Sequence, residues 1–225
     1  MLKIHQLEKN ASATVTKKSD PKYDDTISDR SIFSNNQQSV KLNQTKAFHT
    51  ALCFIPPQSI WDPIQDIRRK LDKSFNRWPP HINLLFPFIP EQYFDEAAKL
   101  ITEQLAHIEP FELTFDGVSC FEKKTSVIWL SQNETAVEKM REVQSAVASL
   151  FPYCDEKHDE NGQFVPHLTI GQYSPKGLQK KLQELRTNWK STTVQVGEIC
   201  MIYRPDQESS FSVIHRIPLG SGLNK

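Results

Sequence analysis

The sequence predicts an α+β fold made of two similar halves, on three observations. Short apolar runs alternate with segments whose apolar residues recur at helical spacing. The order is strand, helix, strand, helix, strand, strand, helix, strand, helix, strand, strand. The pattern Pro-His-apolar-(Asn or Thr)-apolar occurs once in each half of that series, at 80–84 and again at 166–170. Residues 1–46 stand apart from both halves, because Ser, Thr, Asn, Gln, Lys and Asp dominate there and apolar residues come singly.

Such a leader buries too little apolar surface to offset its ordering entropy, so 1–46 reads as a disordered tail and 47–225 as the folded domain. Ala51 to Ile55 is a short buried strand closed by Pro56-Pro57. A helix follows, with Asp62 as its cap, Pro63 in its first turn and Gln65 completing a capping box; Ile64, Ile67, Leu71 and Phe75 recur along it. Trp78-Pro79-Pro80 ends that unit and leads into a strand from His81 to Phe88. A second helix, Phe94 to Ala106, carries Phe94, Ala97, Ile101 and Leu105 on one face.

Phe111 to Val118 alternates as a strand and Ser126 to Leu130 is another. The third helix, Glu134 to Leu150, buries Val137, Met140, Val143, Val147 and Leu150. A polar loop, Pro152 to Gln163, precedes the strand Val165 to Tyr173. Ser174-Pro175 caps a fourth helix with Leu178, Leu182 and Leu185 inside. Two closing strands, Thr192 to Tyr203 and Phe211 to Ile217, flank the turn Pro205 to Ser210.

Positive and negative side chains balance at 27 each, so no global field recruits an acidic partner and any anionic ligand must be held by local groups. Cys53, Cys120, Cys154 and Cys200 are scattered without a C-x-x-C pair, which reads as buried reduced thiols in an intracellular protein, cytoplasmic or nuclear. The start has no apolar stretch of the secretory kind, and no segment approaches the roughly 20 apolar residues that span a bilayer. No H-x-x-x-H or Cys/His cluster has metal-ligand spacing, and no Walker or G-x-G-x-x-G loop is present. Neither a metal nor a nucleotide cofactor is therefore expected.

Strand alternation decides where the motif side chains point. His81 and Asn83 share one face, opposite Ile82, Leu84 and Phe86; His167 and Thr169 share a face, opposite Leu168 and Ile170. Each motif thus presents a histidine and a hydrogen-bonding side chain about 6.6 Å apart along the strand. A phosphodiester needs such a set. One imidazole takes a proton from the attacking oxygen and the other gives one to the leaving oxygen, because histidine titrates near neutrality. The Asn83 amide and the Thr169 hydroxyl can donate to nonbridging oxygens, where charge builds in the transition state. A single histidine on a strand is usually structural; two matched motifs are harder to assign to packing. The other histidines lack a partner motif, and His158 lies in a charged loop. Trp78 and Tyr173 flank the motifs and Tyr203-Arg204 ends a closing strand, so these four are candidates for holding an unpaired base by stacking, against the plainer role of core or lid aromatics.

With two H-x-(T/S)-apolar-like motifs, one per half, the chain from Ala47 to Leu219 resembles the 2H phosphoesterase superfamily, which includes the 2′-5′ RNA ligase-like proteins and cyclic nucleotide phosphodiesterases. The match is close at His81 to Phe88 and at His167 to Tyr173. The resemblance implies two sheet-and-helix lobes related by a pseudo-twofold around a central groove, with the histidines at its base. It implies metal-independent cleavage of 2′,3′-cyclic or 2′-5′ linkages in RNA 3′ ends or small cyclic nucleotides, with His81 and His167 as acid–base pair and Thr169 as the second motif's hydroxyl. Asn83 departs from the usual Thr or Ser. A monomer without membrane attachment is expected. The alternatives are a catalytically weak nucleotide- or RNA-end-binding module using the same groove, which Asn83 favours, and an adaptor acting through its tail.

Overall fold

The computed structural model describes residues 45–155, 159 and 161–220; the leader expected over 1–46 lies outside the described residues except for Thr45 and Lys46, as does His158. Among the described residues eight strands and four α-helices follow one another: β1 (Thr50–Phe54), α1 (Trp61–Leu71), β2 (Ile82–Leu85), α2 (Phe94–Leu105), β3 (Phe111–Phe121), β4 (Ser126–Gln132), α3 (Glu134–Leu150), β5 (Leu168–Tyr173), α4 (Leu178–Asn188), β6 (Thr192–Val196), β7 (Glu198–Tyr203) and β8 (Ser212–Pro218). The expected α+β class and paired halves are what the chain adopts.

The strands form one sheet in the order β6-β3-β4-β5-β2-β1-β7-β8, so two four-stranded halves meet at the β2–β5 pair. Every pairing is antiparallel. The single expected strand from Thr192 to Tyr203 is two strands broken at Gly197. β6 closes one side of the sheet on β3, whereas β7 pairs with β1 in the other half. Since one residue joins strands so distant in sheet order, the sheet must curl, which makes one of its faces concave.

The main core lies between the sheet and the helices. Leu52, Phe54, Ile82, Leu85, Ile128, Leu130, Leu168 and Met201 meet Ile64, Phe94, Ile101, Met140, Val143 and Val147 there. A smaller cluster of Ala51, Cys53, Cys200, Ile202 and Phe211 lies apart from it, on the sheet's other face by strand alternation. The helices interlock the halves. α1, which precedes the first motif strand, packs on β5, the strand of the second motif; α3, which precedes the second motif strand, packs on β2 and β3. At the α1–β5 contact Gly171 is required, since a Cβ there would sit 2.4 Å from the Leu71 Cβ.

Two expected caps do not form. α1 begins at Trp61 after a 3₁₀ turn at Gln58–Ile60 with no side-chain cap, and Gln65 accepts a hydrogen bond from Arg68 (2.9 Å) instead of closing a box with Asp62. α4 starts at Leu178 behind Gly177, whose φ of 86° suits glycine, rather than at Ser174-Pro175. The helices expected from apolar spacing, α2 and α3, sit where that spacing put them, with Phe94, Ala97, Ile101 and Leu105 all buried.

Candidate active site

β2 and β5 pair at Ile82↔Leu168. Continuing that antiparallel register one residue each way sets His81 across from Thr169 and Asn83 across from His167, about 5 Å apart between Cα atoms. Ile82 and Leu168 enter the helix-side core, so the four polar side chains share the concave face. The two halves meet there, and each histidine faces the other motif's hydrogen-bonding residue.

The histidines are held alike. His81 Nδ1 lies 2.8 Å from the Pro79 carbonyl oxygen, and His167 Nδ1 lies 2.8 Å from the Val165 carbonyl oxygen. A carbonyl only accepts, so each Nδ1 carries the hydrogen and Nε2 is the basic nitrogen of the neutral ring. Each histidine thus binds the carbonyl two residues before it.

A bulge follows each motif at the same place. Cys53 pairs with Asn83 while Leu52 pairs with Leu85, which leaves Leu84 extra; Trp129 pairs with Thr169 while Ile128 pairs with Gly171, which leaves Ile170 extra. Both bulges fall one residue after the polar member and reverse the alternation beyond it. This corrects two facing expectations. Phe86 turns to the concave side, 5.2 Å from Trp78 in an edge contact, instead of sharing a face with Ile82. Tyr173 turns to the helix side, packed on the main core with the Lys181 ammonium 5.9 Å from its ring centroid, and does not line the histidine face.

Trp78 stands at the site, stacked on His81 with centroids 4.5 Å apart and planes 16° apart. Phe211 lies 4.0 Å from Trp78, and the Arg204 guanidinium sits 4.9 Å over Phe211, so Arg204, Phe211, Trp78 and His81 form one continuous pile. Tyr203 takes the opposite side: it packs on the main core and edge-on against His49. On the other flank, His167 meets Phe121 edge-on at 5.0 Å and Trp129 at 6.1 Å.

Phe211, Phe121 and Trp129 were not legible as site residues, since they come from strands distant in sequence. The one local signal was Trp129 standing opposite Ile128 and Leu130 in an alternating strand. Among the described residues, three buried polar atoms on this face have no hydrogen-bond partner, Asn83 Oδ1, Trp129 Nε1 and Arg204 Nε. A cavity of about 630 Å³ lies beside Pro79 and Phe211, lined among others by Ile55, Trp61 and Arg216; neither histidine lines it.

Cys53 and Cys200 are cross-strand partners beside Asn83, and no disulfide joins them. Burial holds the Cys53 thiol well above its ordinary range and pushes Cys200 up to about 11. These thiols are therefore inert apolar packing. Among the described residues, no group of three or more His, Cys, Asp and Glu could hold a metal ion, and no helix is long and apolar enough to cross a membrane.

The model of the 2′-5′ RNA ligase superfamily matches residues 56–208. A protein of Halalkalibacterium halodurans that bears the name phosphoesterase is 28% identical over 174 residues, covering 75% of this chain and 96% of its own. One of Oceanobacillus iheyensis with the same name is 27% identical over 124 residues, covering 54% and 68%. Escherichia coli LigT superposes with a TM-score of 0.51 at 15% identity, covering 78% of this chain and 99% of LigT; its complex with 3′-AMP gives 0.51 at 16%, covering 76% and 97%. LigT thus shares the fold. With two matched histidine motifs on one sheet face and a family match across more than half its length, the chain belongs to the 2′-5′ RNA ligase superfamily of 2H phosphoesterases.

Proposed function

We propose that this protein is a metal-independent phosphodiesterase of RNA ends or small nucleotides bearing 2′,3′-cyclic or 2′-5′ linkages. The observation that carries the reading is the pair of Nδ1-anchored histidines brought together by the β2–β5 rung. In hydrolysis of a 2′,3′-cyclic phosphate, one Nε2 removes a proton from water as its oxygen attacks phosphorus. The other histidine, entering as the cation, donates its Nε2 proton to the departing ribose oxygen. The ring opens to a phosphomonoester, and proton exchange with water restores both histidines. Thr169 and the Asn83 amide donate to the nonbridging oxygens. The pile of Phe211, Trp78 and His81 walls one flank of the groove and the rings of Phe121 and Trp129 the other, so a base would lie between aromatic walls. Relatives that bear the name phosphoesterase, and LigT as a protein solved with 3′-AMP, support a nucleotide phosphoester as substrate.

The test is turnover of 2′,3′-cyclic nucleotides and of short RNAs with cyclic ends, in EDTA. The intact protein should turn them over. His81→Ala and His167→Ala should each lower the rate by about a hundred- to ten-thousand-fold while keeping the intact protein's circular dichroism spectrum. Near-normal rates in both folded variants would overturn the mechanism, as would an absolute requirement for added metal.

A further inference from the structure

The two histidines are anchored to carbonyls, and those carbonyls need anchors of their own. His81 binds the carbonyl of Pro79, and the preceding carbonyl, Trp78, accepts from Arg68 of α1 at 2.8 Å. His167 binds the carbonyl of Val165, and the preceding carbonyl, Phe164, accepts from Arg141 of α3 at 3.0 Å. In both motifs, then, an arginine from the preceding helix holds the carbonyl three residues before the histidine, and the histidine holds the next one.

The helices that supply these arginines are seated crosswise. α1 rests on β5, the strand of His167, and α3 rests on β2, the strand of His81, as well as on β3. The seat of α1 is itself hydrogen-bonded. Arg68 donates to Asp72 at 2.8 Å, Asp72 accepts from Gln172 of β5 at 3.2 Å, and Gln172 accepts from the backbone N–H of Lys73 at 2.9 Å. The chain entering His81 is therefore tied to the strand that carries His167, and the chain entering His167 to the strand that carries His81. A guanidinium suits this task, because its rigid fork bonds a carbonyl and a carboxylate at once. Arg68 does so with Asp72 and Trp78, with its side chain 1% exposed; Arg141 does so with Glu138 and Phe164 at 30%.

Resting on the two-histidine reading, we infer that Arg68 and Arg141 are equivalent positioning residues, a reciprocal pair of tethers that set the tautomer and the mutual placement of His81 and His167. Neither side chain acts on substrate. Each acts through the backbone that receives the Nδ1–H bond of its histidine. Loss of one tether loosens one imidazole and leaves the groove's binding groups in place. The loss therefore falls on kcat, through misplacement of a proton-transfer group, and spares KM.

Arg141 carries the decisive experiment, because it is part-exposed and its removal strands no buried carboxylate. In protein with ¹⁵N-labelled histidine, above the pH where the rings are cationic, His81 and His167 should both show the Nδ1–H tautomer. In Arg141→Met, His167 should become a mixture of tautomers while His81 keeps its form. With a 2′,3′-cyclic nucleotide, kcat should fall about ten- to a hundred-fold with KM within about threefold. Arg141→Lys, which can still donate to Phe164, should recover most of both. Arg68→Met should do the same to His81 if it folds; if it does not, Arg141 alone decides. An Arg141→Met protein in which His167 remains wholly Nδ1–H overturns the inference. So does one whose wild-type kcat persists. The tautomer readout needs no turnover: an intact protein that is inactive on every phosphodiester ends the functional reading, and the NMR arm still decides whether the tether exists.

Discussion

At the scale of single residues, the concave face sets two histidines near two thiols that burial keeps protonated. The motifs of His167 and His81, then Cys53 and Cys200, follow one another across the successive strands β5, β2, β1 and β7. A thiol raised from 9.0 to about 11 keeps its proton in the folded state, while the unfolded chain releases its own above about pH 9. The native state then binds more protons than the unfolded state, so stability falls as pH climbs from about 9 to 11 and is unaffected below that window. Two units correspond to about 2–3 kcal/mol from Cys200 alone. Urea unfolding at pH 8 and pH 10.5 should show a smaller alkaline loss in Cys200→Ala than in the intact chain. Equal losses would mean that other groups set the alkaline limit. The histidines and their polar partners were legible from sequence because facing on a strand is a local property. The pile of Arg204, Phe211 and Trp78 was not, because Phe211 reaches Trp78 only after β8 has paired with β7 and β7 with β1.

At the scale of elements, helices with a clean apolar stripe were readable, and their capping was not. The stripe of α2 is a property of its own residues, whereas the start of α1 is set by a 3₁₀ turn that no side chain signals. The bulges at Leu84 and Ile170 escaped for the same reason, since a bulge exists only relative to the partner strand's register. Gly171, too, acquires its meaning only from the partner element, since it marks a close approach of β5 to α1. A methyl there would lie 2.4 Å from the Leu71 Cβ and 3.1 Å from its carbonyl carbon and oxygen. Gly171→Ala should therefore cost about 2–3 kcal/mol of stability in urea unfolding, the upper range of overpacking. It should also lower kcat, because the displaced contact joins His167's strand to the helix of Arg68. Leu71→Ala should fail to rescue it, since alanine keeps the offending Cβ. A neutral Gly171→Ala would show that the helix shifts freely on the strand.

At the scale of the whole molecule, the two halves of the sheet are joined along the strands by little more than the Ile82↔Leu168 rung, yet the helices cross that boundary. α1 belongs in sequence to one half and packs on the other, and α3 spans β2 and β3. β7 and β8, from the end of the chain, complete the half begun by β1 and β2. Neither half can bury its core without chain from the other. Near-ultraviolet and far-ultraviolet signals should therefore melt together in a single transition, and the segment 111–196 expressed alone should not fold. Two resolved transitions would show that the lobes are independent units.

The rung itself has the geometry of a self-complementary dimer contact. Residue 81 lies across from 169 and 83 across from 167, so each motif offers its partner what the partner offers in return, as at an isologous twofold interface. A shorter chain with one motif could build the same pair of histidines only by meeting a copy of itself, and its two sites would then have to be the same. Covalent fusion removes that constraint. An amide can stand at Asn83 while a hydroxyl stands at Thr169, and an indole can lie flat on His81 while ring edges approach His167. Symmetry lays down the positions in the groove, and its breaking leaves two like imidazoles in unlike surroundings, which is what the proposed division of acid and base between them requires.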